Sequence, residues 1–491
     1  MVRDGALMRP AMDIRSLGRP STQWLLLPAL LAATVVGAGS AFGPLTALLV
    51  LPLVVVVVCV WKWPALAAYL IIGLTPLLAG VGRGTALPLI RPNEAVVFLV
   101  GFALVTRAIG RLRSGQVPML RLGGVEASMV LLAICSSVVP LASMALRQQP
   151  ITQDDLFYAL VLWKYLGLYV LIRMSVSTDQ QIRRCLWISV GAACIVAVLA
   201  ILQSLQLFGV PQLLATYYPP FGFTSGEFGA RGSSTLALPA ATADVMVYNL
   251  AIVSGLWMQS RRHRSLLAPA AALLVLAALS AGEFSSAIGL VVGVVCIALV
   301  TNSARLLKIF VPAGLVASQV LQPVFAARLN GFQSVTGLPL SWTGRLQNLQ
   351  NYFWPQLVSN WNFLLGVRPS ARVPVASLGT GYVWIESGYT WLLWGGGIPL
   401  FASFVFFVVA VAKRAWRAAH RNTGAARVAG TAAFVAIIVT TVLMTFDPHL
   451  TYRGSADLLF VLIALCAPRL LRPDAAGTPI TTNDLAEEAS A

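Results

Sequence analysis

The sequence predicts an all-α fold, a polytopic transmembrane helix bundle of about 12 to 14 spans with one long extracytoplasmic loop that contains an amphipathic helix. Three observations predict it. Of 491 residues, 58% are hydrophobic and only 10% charged, with a mean hydropathy of +0.81, too little polar surface to coat a soluble particle of this size. Apolar segments recur along the whole chain, and lipid offers unpaired backbone groups no partner, so each segment must be helical. The basic residues alternate in density between successive inter-segment stretches, as membrane topology requires.

In order, the segments lie near 24–41, 44–60, 64–80, 94–107, 125–145, 157–172, 185–207, 235–258, 266–281, 284–300, 306–321, 383–411, 428–446 and 456–468. The pair 44–60 and 64–80 is short enough to form a re-entrant hairpin instead. The chain then divides into a basic cytoplasmic stretch (1–23), the first part of the bundle (24–321), a long outer loop (322–382), the rest of the bundle (383–468) and a polar, disordered cytoplasmic tail (469–491). With both termini cytoplasmic, 24 of the 34 basic residues fall inside, which is the bias the positive-inside rule asks for. The net charge of +17 is therefore topological; its counterpart is anionic lipid, and nucleic acid is not a predicted partner. The six cysteines fall in or beside spans, so no disulfide framework is expected.

Two outer loops are long, 208–234 and 322–382. In the second, "SWTGRLQNLQNYFWPQL" places Trp342, Leu346, Leu349 and Phe353 on one helical face, with Arg345, Gln347, Asn348 and Asn351 on the wet side and Pro355 limiting the helix. The predicted outer basic residues are all arginine: Arg83, Arg91, Arg147, Arg231, Arg328, Arg345, Arg368, Arg372 and Arg453. Arginine's planar fork suits phosphate oxygens, although lysine is scarce throughout this chain and composition alone accounts for much of the pattern.

Intramembrane charges are functional candidates by default, which singles out Lys164 and Asp244 for substrate contact; an ion pair between them is the structural alternative. Asp447 and His449 in "FDPHLTYRG" are too few for a zinc site and read as a wet loop, and Glu283 reads as a solvated hairpin acid. "WGGGIP" at 394–399 reads as close helix packing. Tyr217, Tyr218, Phe221 and Phe223 suit sugar stacking or an interfacial belt. No phosphate-cradling glycine loop or dinucleotide fingerprint occurs, so no cofactor is expected. Glu386 heads the apolar run at 383–411, where it serves either a helix start or chemistry.

From about Phe228 to Pro399 the chain resembles the O-antigen polymerase and O-antigen ligase superfamily, bacterial membrane glycosyltransferases acting on undecaprenyl-diphosphate-linked sugars. The resemblance is carried by "ARGSSTLALPAATADVMVYNLAI", "LSAGEFSSAIGLVVGVV", "RLNGF", "GRLQNLQNYFWPQL", "LLGV" and the stretch in which Glu386, Ser387 and Gly397 take the family's His, Asn/Ser/Gln and Gly positions. The ligases have histidine where this chain has Glu386; the polymerases often resemble "ES.Y", which includes Tyr389. The resemblance implies a polysaccharide polymerase of the inner membrane. Arg231, Arg328 and Arg345 would meet the diphosphate, Glu386 would take the acceptor proton, and Tyr389 would contact substrate. Implied partners are the undecaprenyl-diphosphate-linked oligosaccharide, membrane lipids, and chain-length regulator or flippase proteins. A ligase, a flippase or other transporter, and a non-catalytic scaffold stand as the alternatives.

Overall fold

The computed structural model describes residues 44–83, 90–113, 123–219, 231–303, single positions between 312 and 322, 340–375 and 381–467. The chain divides into two units after Lys62. In the first unit, helix α1 spans Pro44–Lys62.

The second unit begins with α2 (Ala65–Leu78), α3 (Pro92–Arg113), α4 (Gly124–Leu146), α5 (Gln153–Ala159), α6 (Val161–Ser175), α7 (Asp179–Ser204) and α8 (Val210–Tyr217). It continues with α9 (Pro239–Gln259), α10 (Arg264–Ser280) and α11 (Phe284–Thr301). Next come α12 (Leu340–Asn348), a π turn at Leu349–Phe353 and α13 (Trp354–Val358). A two-stranded hairpin, β1 (Arg372–Pro374) and β2 (Tyr382–Trp384), leads to α14 (Gly388–Arg421), α15 (Gly424–Leu443) and α16 (Ser455–Leu465). Among the described residues, eight helical stretches are long and apolar enough to cross a membrane. The predicted spans at 24–41 and across most of 306–321 lie outside the described residues, as does the predicted tail at 469–491.

Helix α9 is the centre of the bundle: 89% of its apolar window is buried, against 22% for the peripheral α3. It packs on α7, α10, α11, α15 and α16. Small residues permit the close approach, as lipid supplies no hydrophobic drive between helices. A Cβ on Gly293 would lie 2.4 Å from Val247, and one on Gly430 2.7 Å from the Ala419 backbone nitrogen.

Two local departures from the sequence reading shape the functional end. The helix expected to stop near Pro355 runs on to Val358, because the π turn just before it accommodates the proline, whose missing N–H and ring would otherwise clash with the preceding turn. Its faces also differ from those expected: Leu349, Phe353 and Leu357 are buried, but Leu346 is 43% exposed, and Arg345 and Asn348 turn inward onto carboxylates. An ion pair outweighs the pull of one leucine there.

In α14, Gly397 adopts φ 65° and ψ −156°, so the stretch read as close packing inside a helix is a break. The break frees the Trp394 carbonyl, which accepts from the backbone N–H groups of Val367 (2.7 Å) and Arg368 (3.3 Å). A Cβ on Gly397 would come within 2.4 Å of the Leu364 carbonyl oxygen, so only glycine fits.

Charged groups cluster at two ends of the bundle. At one end, Glu126 accepts from Arg414 (2.7 and 2.8 Å) and Arg173 (3.1 Å), tying α4, α6 and α14. At the other, Arg368 grips Asp155 through two bonds (3.0 and 2.7 Å), Arg372 pairs with Asp154, and Arg147 donates to Asn362.

Candidate functional site

The start of α14 is fixed by its neighbours. The Ile385 N–H donates to the Ala371 carbonyl (3.0 Å) and its side chain is buried, which leaves Glu386 facing the opposite way. Ser387 caps the helix by accepting from the Thr390 N–H (3.3 Å). The Gly388 and Tyr389 N–H groups donate to the Met444 carbonyl at the end of α15 (2.8 and 3.2 Å). A Cβ on Gly388 would sit 2.8 Å from the Met444 carbonyl oxygen, so a glycine is needed for this docking. It brings Glu386 beside the turn that carries Phe446, Asp447 and His449.

Arg345 of α12 closes over that junction. Its Nη1 lies 2.6 Å from Asp447 Oδ2 and 3.4 Å from the Phe446 carbonyl, and its Nε lies 3.8 Å from Glu386 Oε1. Asn348, one turn on, donates to Glu386 Oε2 (3.2 Å). Trp342 sits between Phe284 and Phe446 and walls off the site's apolar side. Burial alone would lower the Arg345 pKa, but Asp447, Glu386 and Glu283 together outweigh it and raise it. Burial pushes Asp447 up to about 6 despite the pull of Arg345. Among the described residues, three carboxylates thus act on the Arg345 guanidinium.

Behind it, His449 Nδ1 lies 2.8 Å from Asp244 Oδ2, with both side chains 1% exposed. Burial would depress the imidazole's pKa, yet Asp244 outweighs burial and raises it. His449 Nε2 and Asp244 Oδ1 are buried with no hydrogen-bond partner among the described residues. The wet loop expected at 447–453 is therefore buried at its first half, with Asp447 6% and His449 2% exposed, compensated by Arg345 and Asp244.

The same connecting segment reaches a second pole. Arg83 Nη2 and Arg91 Nη1 both approach a single oxygen of Glu94, each at 3.4 Å. Lys164 pairs with Asp457 (3.2 Å) and lies 4.4 Å from the Tyr165 ring centroid. Arg453, four residues after His449, lies within electrostatic reach of Arg91, Arg83 and Glu94. Among the described residues, four cations here face two carboxylates, Glu94 and Asp457.

Of the residues singled out from sequence, Arg345 and Glu386 meet. Asp244 lies behind them on His449, and Lys164 belongs to the second pole, so each has a partner other than the other. Tyr389 donates its hydroxyl to the Thr441 carbonyl (2.8 Å), a tie between α14 and α15. Arg231 makes no ion pair among the described residues; the neighbouring Gly232 N–H donates to the Ser280 carbonyl (2.9 Å), placing Arg231 near the turn that precedes Glu283. Arg328, Phe221 and Phe223 lie outside the described residues. Tyr217 is 62% exposed and Tyr218 donates to the Leu77 carbonyl (3.0 Å). Sequence reasoning undervalued Asp447, His449 and Glu283; the signal available was three ionisable residues, Asp447, His449 and Arg453, between two apolar runs.

No protein family, curated protein or solved structure matches this chain.

Proposed function

We propose that this chain is a membrane glycosyltransferase that polymerises lipid-diphosphate-linked oligosaccharide repeat units on the outer face of the bacterial cytoplasmic membrane. The observation that carries the reading is the assembly of Arg345, Glu386 and Asp447 from three distant segments into one half-open cluster at an end of the bundle. Structural ion pairs are usually closed; this one keeps Glu386 31% exposed.

The chemistry is a displacement at an anomeric carbon. The acceptor hydroxyl oxygen forms the new glycosidic bond, the bond from that carbon to the phosphate oxygen breaks, and the leaving diphosphate keeps the electron pair. The hydroxyl proton goes to a carboxylate. Glu386 has open surface to receive it, whereas Asp447 is engaged by Arg345 at 2.6 Å. Arg345 therefore orients both carboxylates, and Asn348 fixes the second oxygen of Glu386.

The test is incubation of the purified protein in proteoliposomes with lipid-linked oligosaccharide. Longer glycan on the lipid supports the reading; glycan moved to a different acceptor lipid makes the chain a ligase. Transport is the second reading, favoured by the break of α14 at Gly397 and the buried His449–Asp244 pair, both of which occur in alternating-access proteins. Translocation without any new glycosidic bond would establish it.

A further inference from the structure

Between Arg345 and Arg368 the chain runs for 22 residues, 346–367, without a charged side chain. The second half of that run is apolar outward as well as inward. Phe353, Leu357 and Val367 are buried, yet Val358 is 68%, Trp361 69%, Leu364 44% and Leu365 42% exposed. These exposures match those of side chains on the outer faces of helices apolar enough to cross a membrane, such as Phe98 of α3 (66%) and Val291 of α11 (62%). The backbone holds Trp361 outward at a cost: Asn360 and Trp361 both take left-handed conformations, with φ 52° and 56°, a region that bulky side chains seldom adopt.

The segment also lies deep. A Cβ on Gly366 would sit 2.7 Å from the Gly396 nitrogen, and one on Gly397 would sit 2.4 Å from the Leu364 carbonyl oxygen, so 364–366 lies flat on the break in α14. Gly396 is eight residues into that helix, roughly 12 Å by helix rise. A Cβ there would also meet the Cys135 carbonyl oxygen at 2.3 Å, eleven residues before the end of α4. Both helices are long and apolar enough to cross a membrane, so 364–366 lies inside the span that they define. Irregular backbone at that depth must find its partners within the protein. It does: the Leu365 and Gly366 N–H groups donate to the Asn362 carbonyl, the second at 2.7 Å, and the Val367 N–H donates to the Trp394 carbonyl (2.7 Å). The Asn362 side chain donates to the Gln356 carbonyl (2.7 Å) and accepts from Arg147.

We propose that residues 358–365 are inserted in the bilayer, with Val358, Trp361, Leu364, Leu365 and Ile398 of α14 (47% exposed) packed against the acyl chains of the leaflet at this end of the bundle. Lipid is the occupant because the patch is free of charge, continues the surface of a membrane-crossing helix and already has its polar backbone closed. Helix α12, the π turn and α13 run without interruption, so the insert anchors the arm that carries Arg345. This inference goes beyond the proposed glycosyl transfer and does not rest on it.

The test places a nitroxide on full-length Val358→Cys, Trp361→Cys and Leu365→Cys in phospholipid nanodiscs. Gln149→Cys, beyond the end of α4, is the water-facing reference, and the unsubstituted protein is the blank for its own cysteines. Power-saturation EPR compares relaxation by oxygen, which concentrates among acyl chains, with relaxation by a water-soluble nickel chelate. The oxygen-to-nickel ratio should exceed the reference severalfold at all three positions. Nickel relaxation at Trp361→Cys and Leu365→Cys equal to that at the reference overturns the insertion and makes the segment a solvated loop. Weak relaxation by both reagents also overturns it, since a second copy or a protein partner would then cover the patch. A second measurement needs no substitution: a phospholipid with a diazirine on its acyl chain should label wild-type peptides within 354–367, and labelling of α3 and α11 without labelling there overturns the proposal. Neither readout involves glycan, so either result leaves the transfer reaction to its own test.

Discussion

Helix α14 connects two charge clusters of inverted make-up. Near its C-terminal end, Arg414 joins Arg173 on the single carboxylate of Glu126, with side-chain exposures of 17%, 7% and 6%. At its start, Glu386 joins Asp447 on the single guanidinium of Arg345, with exposures of 31%, 9% and 26%. In the first cluster both carboxylate oxygens are bonded, Tyr169 adds its hydroxyl, and Glu126 also caps its own helix through the Gly123 N–H (3.1 Å). In the second, one acid is held at 2.6 Å and the other stands off at 3.8 Å. A saturated, closed cluster can only hold helices together; an unsaturated, half-open one retains capacity for a proton or a hydroxyl.

The largest expected effect breaks the closed cluster. Glu126→Gln removes the carboxylate that Arg173 and Arg414 share, a loss on the order of 3–5 kcal/mol. The protein should fail to accumulate, or melt far lower in detergent; a Tm like that of the wild type would remove the structural half of the contrast. Glu386→Gln should act oppositely. Folding should hold within about 0.5 kcal/mol, as expected of a half-exposed site, while glycan extension falls by about 10²- to 10⁴-fold. Extension at the wild-type rate would reduce Glu386 to a helix-start residue. Arg345→Lys should come next, cutting extension by roughly tenfold or more, because a single ammonium cannot engage Asp447 and Glu386 together. Its signature is a lowered kcat with little change in KM; a raised KM at constant kcat would return the diphosphate to Arg345.

The bundle was legible from hydropathy alone, since twelve of the predicted spans coincide with described helices. Arg345 and Glu386 were legible because each sat in a motif. What the sequence concealed were the partners. Lys164 and Asp244 look alike as isolated intramembrane charges, yet one meets Asp457 and the other His449, choices set by how helices rotate against each other. The helix face at 340–358 was inverted at Leu346 and Arg345 because period counting sends apolar residues inward and has no knowledge of Asp447, about a hundred positions away. Gly397 read as packing, since a glycine in an apolar run carries no sign of the backbone that will lie across it.

The smallest effect sharpens the contrast most, because it separates the two acids of the open cluster. Asp447 is held at about 6 against an ordinary 3.8, with burial and Glu283 raising it and Arg345 and His449 opposing them. A raised carboxyl means that the folded protein binds this proton more tightly than the unfolded chain does. The stability it contributes is full below about 4 and is lost as pH rises through about 6. Activity should run the other way, since Asp447 must be ionised to hold Arg345 over Glu386. The kcat profile should therefore show an acid limb with its midpoint near 6, while Tm declines across the same window. Asp447→Asn should flatten both curves at a lower plateau of kcat, whereas Glu386→Gln should keep the Tm slope and lose the rate. Measuring kcat and Tm in parallel from about pH 4 to 8 decides it: an acid limb that survives Asp447→Asn would mean that Asp447 does not set it.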